Sequence, residues 1–225
     1  MNYVAPLAAL ALLASAPAAH AAFVQSPAYK DCANLAKTNP AMALARAEEW
    51  ARIDTGIPAQ HCRAMALYGL GRYDEAGQAL AQLRDAVPAE DADQRAYITK
   101  QAVQAWRNAN RTDAALAILS TQISDMGRVR GDNAAMAKLT SDLLLERARI
   151  LTTYGKMGDA VADLDHAVSL TPLNEEVLLE RAGTFEQMGD VALAAEDVKA
   201  VLRLNAGNAK ARLMQDRLKK AGGQN

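Results

Sequence analysis

The 225-residue chain is 51% hydrophobic and 23% charged, a composition too apolar for a disordered protein. Its 25 basic and 26 acidic residues leave a net charge of −1, which excludes the overall basic excess expected of a nucleic-acid binder. Aromatics amount to 4%, while alanine, the best helix former and a residue that lets helices approach closely, is abundant, so the chain reads as all-α.

The first 22 residues carry an Ala- and Leu-rich run followed by small residues and Ala19-His20-Ala21, the pattern of an export signal cut after Ala21, or else after Ala22. The apolar core from Val4 to Leu13 is shorter than the roughly 20 residues a membrane span needs, and no other long apolar run follows. The expectation is therefore an exported, periplasmic protein with residues 1–21 removed and no transmembrane span in the mature chain. Ser26-Pro27 then opens a short helix through Tyr29, Cys32 and Leu35, with Ser26 as N-cap and Pro27 at the first helical position. Thr38-Asn39-Pro40 separates it from a second helix that reaches about Ile53, and Gly56-Ile57-Pro58 is expected to stop the chain there. Residues 22–58 thus form a weak N-terminal helix pair.

The remainder is built on a repeat. Leu144-Leu145-Glu146-Arg147-Ala148 returns as Leu178-Leu179-Glu180-Arg181-Ala182, Gly155 as Gly189, Ala160 as Ala194, Asp163 as Asp197 and Leu170 as Leu204, always 34 residues apart. A period of this size marks stacked helix-turn-helix units. Working back, Ala64, Gly71, Ala76 and Pro88 mark an earlier copy, and Val103, Trp106, Asn110, Ala115 and Leu119 a degenerate one in which asparagine stands at the glycine position. The units fall at about 59–88, 96–126, 141–172 and 175–206, within an array spanning 59–206. Spacing is uneven: Gly71 to Asn110 is 39 residues and Asn110 to Gly155 is 45. The first surplus falls in the acidic stretch Ala89–Gln94, either as a longer loop or as an added turn of helix. The second surrounds Gly127-Arg128-Val129-Arg130-Gly131, ahead of a helix running from Asn133 to Tyr154 that would project by about three turns. Residues 207–225 form a cationic capping helix and a frayed tail.

These residues resemble the tetratricopeptide repeat (TPR) family. Small residues at the crossing of two helices, a glycine near the turn and a proline after the second helix match Ala64, Ala76, Gly71 and Pro88, and likewise Ala148, Ala160, Gly155 and Pro172. The resemblance implies a right-handed α-solenoid of stacked antiparallel helix pairs with a C-terminal capping helix. It also implies that first helices line a concave groove for a protein or peptide partner. Carried over by position, the groove residues are His61, Met65 and Tyr68, then Lys100, Gln104, Arg107 and Asn108, then Arg149, Thr152 and Thr153, and finally Glu186 and Gln187. Lys100, Arg107 and Arg149 would make its middle mildly basic and favour an acidic or carboxylate-bearing segment. The family's dedicated carboxylate-clamp pattern is not reproduced.

No constellation asks for catalysis. The chain has no G-x-S-x-G, H-E-x-x-H or phosphate loop, and adjacent carboxylates such as Glu48-Glu49 or Glu175-Glu176 diverge on a helix, so they and Asp163 with Asp165 read as solvated faces. His61 beside Cys62 has no helically spaced ligand pair, so neither a metal nor a cofactor is expected. Cys32 and Cys62, the only cysteines, read first as a disulfide and otherwise as two buried thiols. The resulting expectation is a non-catalytic scaffold. Self-association as a homo-oligomeric envelope component is the alternative, and an enzyme with a site near Arg128 and Arg130 a more remote one.

Overall fold

A short helix with one apolar stripe can hide that stripe only against neighbours, so a run of such helices must stack. The computed structural model describes residues 26–128 and 134–222. The expected leader, Val129-Arg130-Gly131 of the central insertion and the last three residues lie outside the described residues. Among those described there are helices and no strands. The first pair is α1 (Pro27–Thr38) with α2 (Pro40–Ile53), the second α3 (Ile57–Gly69) with α4 (Tyr73–Ala86), and the third α5 (Ala92–Asn108) with α6 (Thr112–Met126). The fourth is α7 (Ala134–Thr153) with α8 (Met157–Leu170) and the fifth α9 (Glu175–Met188) with α10 (Val191–Leu204), and α11 (Ala209–Ala221) closes the stack. Each helix packs on the next in sequence, and first helices also meet across units, α1 on α3, α5 on α7 and α7 on α9.

The same turn closes four of the five pairs. Gly71, Asn110, Gly155 and Gly189 have φ of 74°, 56°, 73° and 86°, the left-handed conformation that glycine adopts freely and asparagine most readily among the rest. In each case the following amide reaches back into the first helix: Arg72 N to Leu67 O at 3.0 Å, Arg111 N to Trp106 O at 2.8 Å, Lys156 N to Leu151 O at 2.9 Å and Asp190 N to Phe185 O at 2.9 Å. These bonds satisfy carbonyls that a helix end leaves open. The helices then cross over small side chains. Ala64 and Ala76, Ala148 and Ala160, and Ala182 and Ala194 are all completely buried. In the degenerate unit Val103 stands opposite Ala115, and the large Trp106 ring is taken up by Gly77 in the middle of α4. A Cβ on Gly77 would lie 2.5 Å from Trp106 Nε1.

Two expectations about boundaries change. Gly56-Ile57-Pro58 does not merely stop α2; Ile57 and Pro58 form the first turn of α3, where proline is tolerated because its missing N–H would be unpaired anyway. The long helix α7 has 20 residues against 14 in α8, so it exceeds its partner by under two turns, not three. Its early residues do not project freely, since Met136 and Leu139 pack against the core of the preceding units. The acidic surplus lengthens α5 to 17 residues, with Ala92, Gln94 and Ala96 buried in the added turn.

Asp163 is another correction: it is buried rather than on a solvated face. Arg147 donates to both its oxygens, from Nε at 2.7 Å and Nη2 at 2.5 Å, and Arg181 holds Asp197 in the same way at 2.8 and 2.7 Å. Arg181 also donates to Asp165 at 2.7 Å, and Arg147 to Ser120 at 3.0 Å, so each arginine ties its own second helix to the preceding one. These bidentate hydrogen bonds hold both guanidinium groups above the ordinary arginine range.

The first pair lacks a left-handed turn and has a small core of Cys32, Ala36, Ala43, Ala47, Cys62 and Ala66. Here Cys32 and Cys62 form a disulfide in the structure, with Cα atoms 5.9 Å apart, joining α1 to α3. Gly69 lets the end of α3 approach, because a Cβ there would lie 2.5 Å from the Ala36 carbonyl oxygen.

Two outcomes follow from this packing. Gly77→Ala, which would stabilise an isolated helix, is expected instead to destabilise the protein by about 1–3 kcal/mol through the Trp106 clash, read as a lower urea midpoint. Replacing both cysteines by serine is expected to remove about 3–4 kcal/mol and, in hydrogen exchange, to expose α1 and α2 well before α9 to α11. Uniform loss of protection along the chain would contradict this.

Candidate functional site

The first helices of successive units are laced together by polar side chains, and these are mostly the positions the sequence assigns to the groove. Tyr29 on α1 meets His61 on α3 at 2.6 Å between its hydroxyl and Nδ1, and His61 Nε2 lies 2.5 Å from Gln101 Oε1 on α5. His61 is only 2% exposed, so it belongs to the packing between helices and not to the groove surface. Burial, and then neighbouring Tyr97, push the Tyr29 phenol up to about 12. Further along, Asn108 donates to the Tyr68 hydroxyl at 2.7 Å and Gln104 donates to Asn108 at 3.2 Å. Thr152 and Thr184 hydroxyls lie 3.4 Å apart, while the exposed Thr153 only donates back to the Arg149 carbonyl at 2.9 Å.

The expected basic middle of the groove is not there, because every cation in it is answered. Lys100 pairs with Asp142 at 3.6 Å, and Arg107 with Glu146 at 2.9 Å. Arg149 pairs with Glu176 at 2.7 Å and Glu180 at 3.0 Å. Burial pulls the Arg149 guanidinium down, but its bonds to the two carboxylates outweigh that, and it sits above the ordinary arginine range. Glu186 is likewise held, by Arg217 of α11 at 2.9 Å. The acids stand on the first helix of the following unit, so a linear reading of one unit at a time counts the cations and misses their partners. Lys100, Arg107, Arg149 and Glu186 therefore reach to the following helices and present little net charge, while Thr153 stays bonded within its own helix.

A hollow does open at the N-terminal end. A pocket of about 510 Å³ is bounded by Ala33, Ala36 and Lys37 of α1, by Ala64, Met65, Tyr68 and Gly69 of α3, by Leu80 of α4, and by Gln101 and Gln104 of α5. Its base is apolar, with Ala36, Ala64 and Leu80 buried, and its rim carries amides and one ammonium. Lys37 is exposed on that rim and has no ion pair among the described residues. Three groove positions, Met65, Tyr68 and Gln104, converge here, with Asn108 bracing Tyr68. Lys37 and Gln101 were absent from the expected set. Lys37 lies in the weak first pair, where no repeat register could place it. Between the units, Arg84 is a second residue the sequence did not single out: buried at 3% exposure, it donates to Gln122 at 2.9 Å and pairs with Asp125. Among the described residues no cluster of three or more His, Cys, Asp or Glu side chains could hold a metal ion, and no helix is long and apolar enough to cross a membrane.

No family sequence model and no curated protein matches the chain. Solved structures do. A tetratricopeptide repeat protein from Parabacteroides merdae ATCC 43184 is 19% identical with a TM-score of 0.61, over 76% of this chain and 61% of that one. MamA from Desulfovibrio magneticus RS-1, from residue 41 to its end, is 17% identical with a TM-score of 0.56, over 82% of this chain and 98% of its own. A MamA RS-1 double mutant is 16% identical with a TM-score of 0.57 and the same coverage. At such identity the likeness carries the fold and not an activity. Paired helices, recurrent left-handed turns and alanine crossings agree with it: the chain is a TPR-like helical-repeat protein.

Proposed function

We propose that the protein is an exported, non-catalytic scaffold that binds a segment of a partner protein in the groove of its first helices. The observation that carries this reading is the pocket between α1, α3 and α5, an apolar hollow with amide and ammonium groups on its rim. An apolar anchor side chain fills such a base, and rim amides can bond the backbone that carries it. Lys37, rather than Arg107 or Arg149, is then the group that would meet a carboxylate beside the anchor, so an acidic or carboxylate-bearing segment remains the preferred partner. Export is supported by the leader pattern and by the Cys32–Cys62 bond, which an oxidising compartment such as the periplasm maintains. The exported protein is expected to begin at Ala22, as read by mass spectrometry of its N-terminus.

A photo-crosslinking residue placed at Met65 tests the groove directly, with one at Gln82 on the exposed side of α4 as its control. A defined partner protein is expected from Met65 and not from Gln82, and Lys37→Glu is expected to weaken that capture at least about tenfold while the melting temperature is unchanged. Equal yields from both positions would remove the groove from consideration, and recovery of this chain alone would establish self-association instead.

A further inference from the structure

Residues 198–222 contain seven basic side chains and a single acid, Asp216, although the whole chain has a net charge of −1. On α11 these are Lys210, Arg212, Arg217, Lys219 and Lys220, and all are exposed. Two more, Lys199 and Arg203, stand exposed on α10 against which α11 packs. Only Arg217 has an ion pair, with Glu186; the other six have none among the described residues. Along the groove the opposite holds, since Lys100, Arg107 and Arg149 are each neutralised. A terminal helix needs a polar outer face, but either sign or a mixture would serve, and unpaired like charges repel one another. Solubility therefore does not account for this end.

The geometry of α11 narrows what it can meet. Ala211, Met214 and Leu218 are buried, which puts Arg212, Leu213, Asp216 and Lys220 along the opposite ridge with Lys210, Arg217 and Lys219 on its flanks. Leu213 is 65% exposed in the middle of that ridge. The charges span about 15 Å of a convex rod and converge on no cleft. Lysines, flexible point charges, outnumber arginines, whose rigid forks suit a fixed carboxylate. A convex cationic ridge with one apolar side chain at its centre complements a broad anionic layer better than a discrete acidic segment. We propose that the C-terminal end of the stack docks on an anionic lipid surface, with the α10–α11 cations against the headgroups and Leu213 at the interface. The pocket between α1, α3 and α5 lies at the other end of the stack, so docking leaves it open.

The test is co-sedimentation of the mature chain with phosphatidylcholine vesicles, with and without phosphatidylglycerol, at low and high salt. Binding is expected only with phosphatidylglycerol and is expected to be lost at high salt. The triple substitution Lys210→Glu, Lys219→Glu and Lys220→Glu should lower vesicle partitioning at least about tenfold with an unchanged circular dichroism spectrum. Leu213→Ser, which leaves the charge intact, should weaken it less. No binding to phosphatidylglycerol vesicles at low salt overturns the proposal, as does binding that ignores both salt and the triple substitution. Retention on immobilised polyglutamate without any vesicle binding would also overturn it and assign the surface to an acidic protein.

Discussion

Between the helices of a pair the backbone has to turn left-handed for one residue, and the two helices then cross at a distance that only small side chains permit. Four turns obey this, at Gly71, Asn110, Gly155 and Gly189, and each is closed by an amide reaching back to the end of the first helix. With the turn set, Ala182 must meet Ala194 and Ala148 must meet Ala160, and the stripe left uncovered on each pair can be hidden only by the next. Stacking is thus a consequence of the local geometry. The first pair departs from it: Asn39 at its corner keeps a negative φ of −149° and serves as the N-cap of α2. Its alanine core buries little apolar area, so the Cys32–Cys62 bond and the Tyr29–His61 contact stand where larger side chains support later units.

Electrostatics divides the molecule by position. Inside the stack, buried or half-buried arginines hold carboxylates of neighbouring helices, as Arg147 does Asp163, Arg181 does Asp197 and Arg84 does Asp125. A buried charge left unpaired would be costly, so these pairs favour one register of unit on unit over slipped alternatives. On the face of the first helices the ion pairs run from one unit to the next, which stiffens that face and leaves it nearly neutral. Lys37 beside the apolar pocket and a cluster on α10 and α11 are among the cations that have no ion pair in the described residues. These two groups lie toward opposite ends of the described stack, and they are the places at which partner and lipid binding are proposed.

The repeat at 34 residues, the glycine and asparagine turns, the alanine crossings and the cysteine pair were all legible in the chain, because each depends on the identity of one residue or on a spacing along the backbone. Asn110 is the clearest instance: its left-handed φ follows from what asparagine can do at the end of a helix, whatever surrounds it. Asp163 and Asp197 show the limit. Their recurrence with Arg147 and Arg181 at the same period was a visible signal, yet acidic residues on a helix look solvated until the facing helix is in place.

What the sequence alone determined, then, is the architecture: an all-α stack of paired helices with a weak first unit, and first helices that carry the polar face. Tertiary structure decided which of those polar residues is available. Lys100, Arg107 and Arg149 look like a basic groove in one dimension, and become inter-unit ion pairs once Asp142, Glu146, Glu176 and Glu180 arrive from the adjacent helix. Whether a charge is taken up by a neighbour or left for a partner depends on a distance across space of a few ångströms between residues 27 to 42 positions apart, and no local pattern encodes that distance.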